Sequence, residues 1–88
     1  MLGSIPRLAT FFQRQMQLLI DSIVEKRRQA IDENHIEEFV ELIEAGKRLP
    51  PILVRRDASD IFWLVDGRHR LAALKRLGRS HVEVLITL

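Results

Sequence analysis

Residues 61–65, Ile-Phe-Trp-Leu-Val, place apolar side chains on both faces of any extended chain they form. A run of that kind suits a central strand, because an edge strand with one wet face would alternate apolar and polar residues. The strand leads through Asp66 to Gly67, and from there the spacing changes. Leu71, Leu74 and Leu77 recur every three residues beside Ala72 and Ala73, while Lys75, Arg76 and Arg79 lie away from that seam. This predicts a helix that starts just after Gly67 and ends at Gly78.

A second helix is predicted in the acidic block. Ile36, Phe39, Val40 and Ile43 fall at i, i+3, i+4 and i+7, with Glu37, Glu38, Glu41 and Glu44 on the other side. Asn34 followed by Glu37 suits a capping box, and Gly46 is placed to close the helix in a left-handed conformation. Pro50-Pro51 prevents continuation and sets up a short strand, Ile52 to Val54. Asp57 to Asp60 reads as a turn before the central strand, and Val82 to Leu88 as a last strand. From residue 34 on the order is α, β, β, α, β.

The N-terminal third supports two readings. Leu8, Phe11, Phe12, Met16, Leu19, Ile20 and Ile23 keep helical spacing, which alone would draw one helix from Arg7 to about Ala30. The competing reading is a short helix over residues 7–15 followed by a strand, Leu18 to Val24, that joins the sheet.

With 88 residues, 47% of them apolar, and no internal repeat or linker, the chain is expected to form a single domain over residues 1–88. The absence of Cys excludes a disulfide, thiol catalysis and a Cys-type zinc site, and favours a reducing compartment. A cytoplasmic location is the expectation, since no apolar run approaches the length of a membrane span and no signal-peptide pattern opens the chain. The net charge of +2 hides an uneven distribution: six acids and no Lys or Arg lie within residues 31–46, and nine Lys or Arg against four acids within residues 47–88. The acidic helix, residues 34–45, is a solvated face or a docking surface for a partner protein or second copy. The basic half suits a nucleotide or nucleic acid.

The chemistry concentrates at Gly67-Arg68-His69-Arg70. The free N–H groups of a helix start already carry about half a positive charge, so cations there are disfavoured unless an anion is present. One reading is an anion site, with Gly67 allowing close approach and Arg68, His69 and Arg70 supplying donors to a phosphate. The other is a helix end whose basic side chains reach solvent or pair with Asp66. His69 also has the character of a general acid or base. His35, His69 and His81 have no metal-ligand spacing, although magnesium carried in by a nucleotide would find Asp66 or the acids of residues 37–44. Trp63 is expected in the core. Lys26-Arg27-Arg28 forms a solvated turn or extends a basic rim around the phosphate site.

Residues 26–86, with Pro50-Pro51-Ile52 and the Gly67-Arg70 helix start, resemble the ParB/sulfiredoxin superfamily. In ParB proteins the corresponding segment is Gly-Glu-Arg-Arg and cradles the triphosphate of CTP. Gly67, His69 and Arg70 stand at matching places, and Arg68 stands where the Glu lies. In sulfiredoxins the segment is Gly-Cys-His-Arg, and Arg68 in place of the Cys excludes sulfinic acid reduction. The resemblance implies an α/β (α+β) fold with a small mixed four-stranded sheet and two or three helices, the strand reading of Leu18 to Val24, and residues 1–16 as an extra helical segment. It implies a nucleoside triphosphate, CTP or ATP, with Mg2+, in a plasmid or chromosome partition or other DNA-related setting. Gly67, Arg68, His69 and Arg70 would hold phosphates, with Arg28, His35 and Glu38 nearby. Nucleoside triphosphatase activity through His69 and Glu41 and the nuclease activity of some superfamily members are both left open. So is a DNA-binding module, or an interaction domain with a vestigial phosphate site.

Overall fold

In the computed structural model the described residues are 13–26 and 30–87. Their elements are β1 (Gln13–Leu19), a 3-10 turn (Ile20–Ser22), β2 (Ile23–Val24), α1 (Glu33–Glu44), β3 (Ile52–Arg56), β4 (Phe62–Asp66), α2 (Arg68–Arg76) and β5 (His81–Thr87). The strands form one mixed sheet in the order β1-β5-β3-β4-β2. β1 runs antiparallel to β5, β5 parallel to β3, β3 antiparallel to β4, and β4 parallel to β2. The α/β class, the two principal helices and the α-β-β-α-β order are as expected.

The sheet has five strands where four were expected, because the apolar run after Leu18 is split between its two edges. Leu18 and Leu19 close β1, and Ile23 and Val24 pair with Phe62 and Trp63 at the far side. Between them the Ser22 hydroxyl donates to the Leu19 carbonyl at 2.7 Å, one of the local side-chain bonds by which Ser competes with a strand ladder. Neither the long helix nor a short helix reaching residue 15 occurs, since Gln13 to Leu19 pair residue for residue with Thr87 to His81. The part of the expected N-terminal helix before residue 13 lies outside the described residues.

Register sets the faces. Val54 lies opposite Leu64 and beside Ile86, and Ile52 beside Val84, so these side chains share one side of the sheet. They meet Ile20, Ile23, Leu71 and Val82 in a single buried core, with Leu18, Phe62, Leu64 and Leu74 packed against it. α2 therefore lies on the sheet through Leu71 and Leu74, and α1 packs on α2, where Ile36 and Ala73 are buried. Both helices end as predicted: Gly46 and Gly78 have φ of 80° and 72°, and the amides of Gly46, Lys47, Gly78 and Arg79 close on carbonyls of the last turns. α1 starts earlier than predicted. Its cap is Asp32, whose carboxylate accepts the Asn34 N–H at 2.9 Å, and Asn34 is already inside the helix.

Trp63 falls on the face away from the helices rather than in the core. It lies opposite Arg55, half-buried, and its indole N–H donates to the Asp57 carboxylate at 2.7 Å. Asp57 also accepts the N–H groups of Ser59 and Ile61, which closes the β3–β4 turn. These donors, Trp63 foremost, hold the Asp57 carboxyl below its ordinary value of 3.8. A carboxyl depressed in this way stabilises the fold above its unfolded pKa and loses that contribution as pH falls through its folded value. Trp63→Phe is accordingly expected to raise the Asp57 titration toward the ordinary value and to flatten the acid-side loss of stability between about pH 5 and pH 2. Carboxyl NMR titration with acid unfolding checks this, and an unchanged Asp57 titration refutes it.

Candidate functional site

A β-bulge ends β4. Val54 lies opposite Leu64 but Leu53 opposite Asp66, so Val65 is the extra residue and the chain is re-aimed just before Gly67. Gly67 then takes φ 113°, caps α2, and lies against Ile52. A Cβ there would meet Ile52 Cγ2 at 3.0 Å and the Arg70 guanidinium at 3.2 Å. Both the left-handed backbone and the close approach require glycine. With Gly67 so placed, the first residues of α2, Arg68 to Arg70, line a pocket of about 340 Å³.

The pocket lies between the starts of the two helices and the end of β2. Asp66, Gly67, Arg68, His69 and Arg70 line one side, His35 and Phe39 of α1 another, and Glu25 and Lys26 a third. The two helix starts are joined by a direct bond: the Asp32 main-chain N–H donates to His69 Nε2 at 3.0 Å. The His35 ring meets His69 edge-on, centroids 5.4 Å apart, and His35 Nδ1 lies 3.5 Å from the Asp32 carboxylate. Two further polar ties reach α2 from the segment before α1 and from its first residue, Lys75 to Glu25 at 3.2 Å and Arg76 to Glu33 at 2.7 Å. These are solvent-exposed pairs that orient more than they stabilise.

The expected site residues separate on this geometry. Gly67, Arg68, His69, Arg70 and His35 come together at the pocket. Arg70 is engaged inward: its guanidinium donates to the carbonyls of Pro50 and Pro51 at 2.8 and 3.0 Å, lies 3.6 Å from the Asp66 carboxylate, and is only 14% exposed. It forms the wall of the pocket by clasping the chain that leads into β3. Glu38 and Glu41 are exposed and do not line the pocket, because Ile36, Phe39, Val40 and Ile43 turn the apolar stripe of α1 inward. Arg28 lies outside the described residues. Asp32, Glu25 and Phe39 were not expected as site residues, whereas Lys26 stands at the pocket as one of the two readings of the basic run 26–28 allowed.

The electrostatics favour an anion. The lining holds Lys26, Arg68 and Arg70 against two carboxylates, and both carboxylates already face cations, Glu25 at Lys75 and Asp66 at Arg70. The helix dipole of α2 adds to this positive field. Among the described residues no cluster of three or more His, Cys, Asp or Glu is arranged to hold a metal ion, and no helix is long and apolar enough to cross a membrane.

Residues 9–88 match the family described as the ParB N-terminal domain. The chain belongs to that family. No curated protein matches it. Among solved structures it is similar to sulfiredoxin from Arabidopsis thaliana, with TM-score 0.75 and 23% identity over 83% of each chain. It is similar to the chromosome-partitioning protein ParB from Caulobacter crescentus complexed with CTP-γ-S, with TM-score 0.68 and 23% identity over 83% of this chain and 43% of that one. A free serine kinase in complex with AMP gives TM-score 0.69 and 24% identity over 82% of this chain and 30% of that one. These likenesses establish the fold. The chain spans most of the sulfiredoxin but less than half of the ParB and kinase chains.

The glycine geometry makes a stability prediction. Gly67→Ala is expected to destabilise the domain by about 1–3 kcal/mol, from a strained φ and the clash with Ile52. Gly46→Ala, where φ is also positive but nothing lies within 4 Å of the added methyl, should cost less. Urea unfolding of the two variants decides it, and equal losses would show that the close approach to Ile52 contributes nothing.

Proposed function

We propose that this ParB N-terminal domain binds a nucleoside triphosphate, CTP or ATP, with its phosphates over the first turn of α2. The observation that carries the reading is the bulge-glycine-helix turn at Val65 to Arg68, which brings the start of α2 to the edge of a cationic pocket. That ParB from Caulobacter crescentus was solved with CTP-γ-S and the free serine kinase with AMP supports a nucleotide as the ligand. Gly67 and the amides after it would face the phosphates, Arg68 and Lys26 would neutralise them, and His69 would donate to a phosphate oxygen. Magnesium would arrive with the triphosphate. Arg70 acts by keeping the pocket wall in place.

The proposal is of binding, in a partition or other DNA-related and cytoplasmic setting. Glu41 belongs to the outer face of α1 and takes no part in it, so we assign no hydrolysis to that residue.

Calorimetry and thermal shift with CTP, ATP, GTP and ADP, each with magnesium, test this on the wild type, Lys26→Ala and Arg68→Ala. At least one triphosphate should bind, and each variant should weaken it about tenfold, the loss of one charge-assisted hydrogen bond. If no nucleotide binds and duplex DNA binds instead with a steep fall in salt, the basic residues serve a nucleic-acid backbone and the nucleotide reading is wrong.

A further inference from the structure

His69 has two ring nitrogens, and the fold has already committed one of them. Nε2 accepts the main-chain N–H of Asp32 at 3.0 Å. A nitrogen that accepts must carry a lone pair, so the ring proton sits on Nδ1, the opposite of the arrangement an unconstrained imidazole favours. Asp32 is itself held in place, since its carboxylate accepts the Asn34 N–H at 2.9 Å and lies 3.5 Å from His35 Nδ1. The amide is thus aimed by the cap of α1, and the imidazole by the first turn of α2.

We infer that the Asp32 main-chain amide is the positioning group for His69. With Nε2 engaged, Nδ1–H is the donor the ring has left for a phosphate oxygen, so the amide fixes which atom of His69 serves the pocket. That use of Nδ1–H rests on the nucleotide reading above; the tautomer does not.

The other charged groups of the pocket do not replace this link. On the α1 side are the Asp32 carboxylate and His35, both engaged with the helix cap. On the α2 side Asp66 and Arg70 face each other, and Arg68 lies on the same turn. At the end of β2, Glu25 faces Lys75 and Lys26 lines the rim. The exposed Glu33–Arg76 pair and the packing of Ile36 also tie α1 to α2, so a variant at Asp32 should leave the helix pair in place.

The test is imidazole nitrogen NMR on the full chain at about pH 8, above the usual imidazole range. His69 should show a protonated Nδ1 and a bare Nε2, with His35 and His81 as internal comparisons. Asp32→Pro deletes the donor and should return His69 toward the Nε2–H form; Asp32→Asn keeps the amide and a capping side chain, and should not. If Asp32→Pro does not fold, the wild-type spectrum still decides. An Nε2–H form in the wild type overturns the inference whether or not anything binds.

Titration with CTP or ATP and magnesium should then shift the Nδ1–H resonance of His69 and leave the Asp32 amide protected from exchange. A nucleotide that binds without moving Nδ1–H overturns the use of that donor and leaves the nucleotide reading standing. Absence of nucleotide binding, with the Nδ1–H form present, removes the proposed function and the donor's role together and leaves Asp32 as the group that sets the tautomer.

Discussion

The contact between Gly67 and Ile52 governs how the rest of the domain is joined. Ile52 opens β3, is almost wholly buried, and lies beside Val84 of β5. Gly67 opens α2 directly above it, at a distance that leaves no room for a side chain. The helix is thereby seated on the sheet at its first residue, one turn before Leu71 enters the core. Arg70 completes the joint from the other side by donating to the carbonyls of Pro50 and Pro51. Those carbonyls precede the strand and need a partner from elsewhere, and a planar guanidinium can serve both at once.

This arrangement explains much of the apparent misplacement of charge at the start of α2. Three basic residues in a first helical turn would oppose the dipole if all were charged and directed at its amides. Arg70 instead turns away to clasp a neighbouring segment, and His69 holds its Nε2 as an acceptor from α1. Arg68 lines the pocket from this turn, and Lys26 lines it from just beyond the end of β2. Under the nucleotide proposal, an anion would find fewer charged partners at the turn than its three basic letters suggest, and one more from a distant element.

What could be read from sequence was what local chemistry decides. The stripe Ile36, Phe39, Val40 and Ile43 specifies α1, and Gly46 and Gly78 specify where the helices stop, because a left-handed residue there has few substitutes. The strand Gln13–Leu19 was not readable in the same way. Gln15 and Gln17 alternate there with Met16 and Leu18, a pattern that also fits helical spacing, and pairing with β5 selects extension over helix. The true cap of α1 was hidden for a related reason. Asp32 and Asn34 are both good caps by type, and the imidazole that accepts the Asp32 amide lies thirty-seven residues away. Arg70 was correctly placed at the pocket, but its use as a clasp depends on carbonyls twenty and nineteen residues earlier.

The two helices are attached to the domain by different means, and this bears on which of them can respond to a ligand. α2 buries Leu71 and Ala73 and is fixed at its start by Gly67 on Ile52. α1 buries Ile36 alone among its residues, packs on α2, and is held at its start by exposed polar contacts. Low-stability elements are those with few buried apolar contacts and solvent-accessible bonds, and by that measure the first turn of α1 is the weaker partner. A phosphate at the start of α2 would meet a rigid surface below it and a lightly held one beside it. The side that can give way is the one that carries the acidic face, Glu37, Glu38, Glu41 and Glu44, toward solvent.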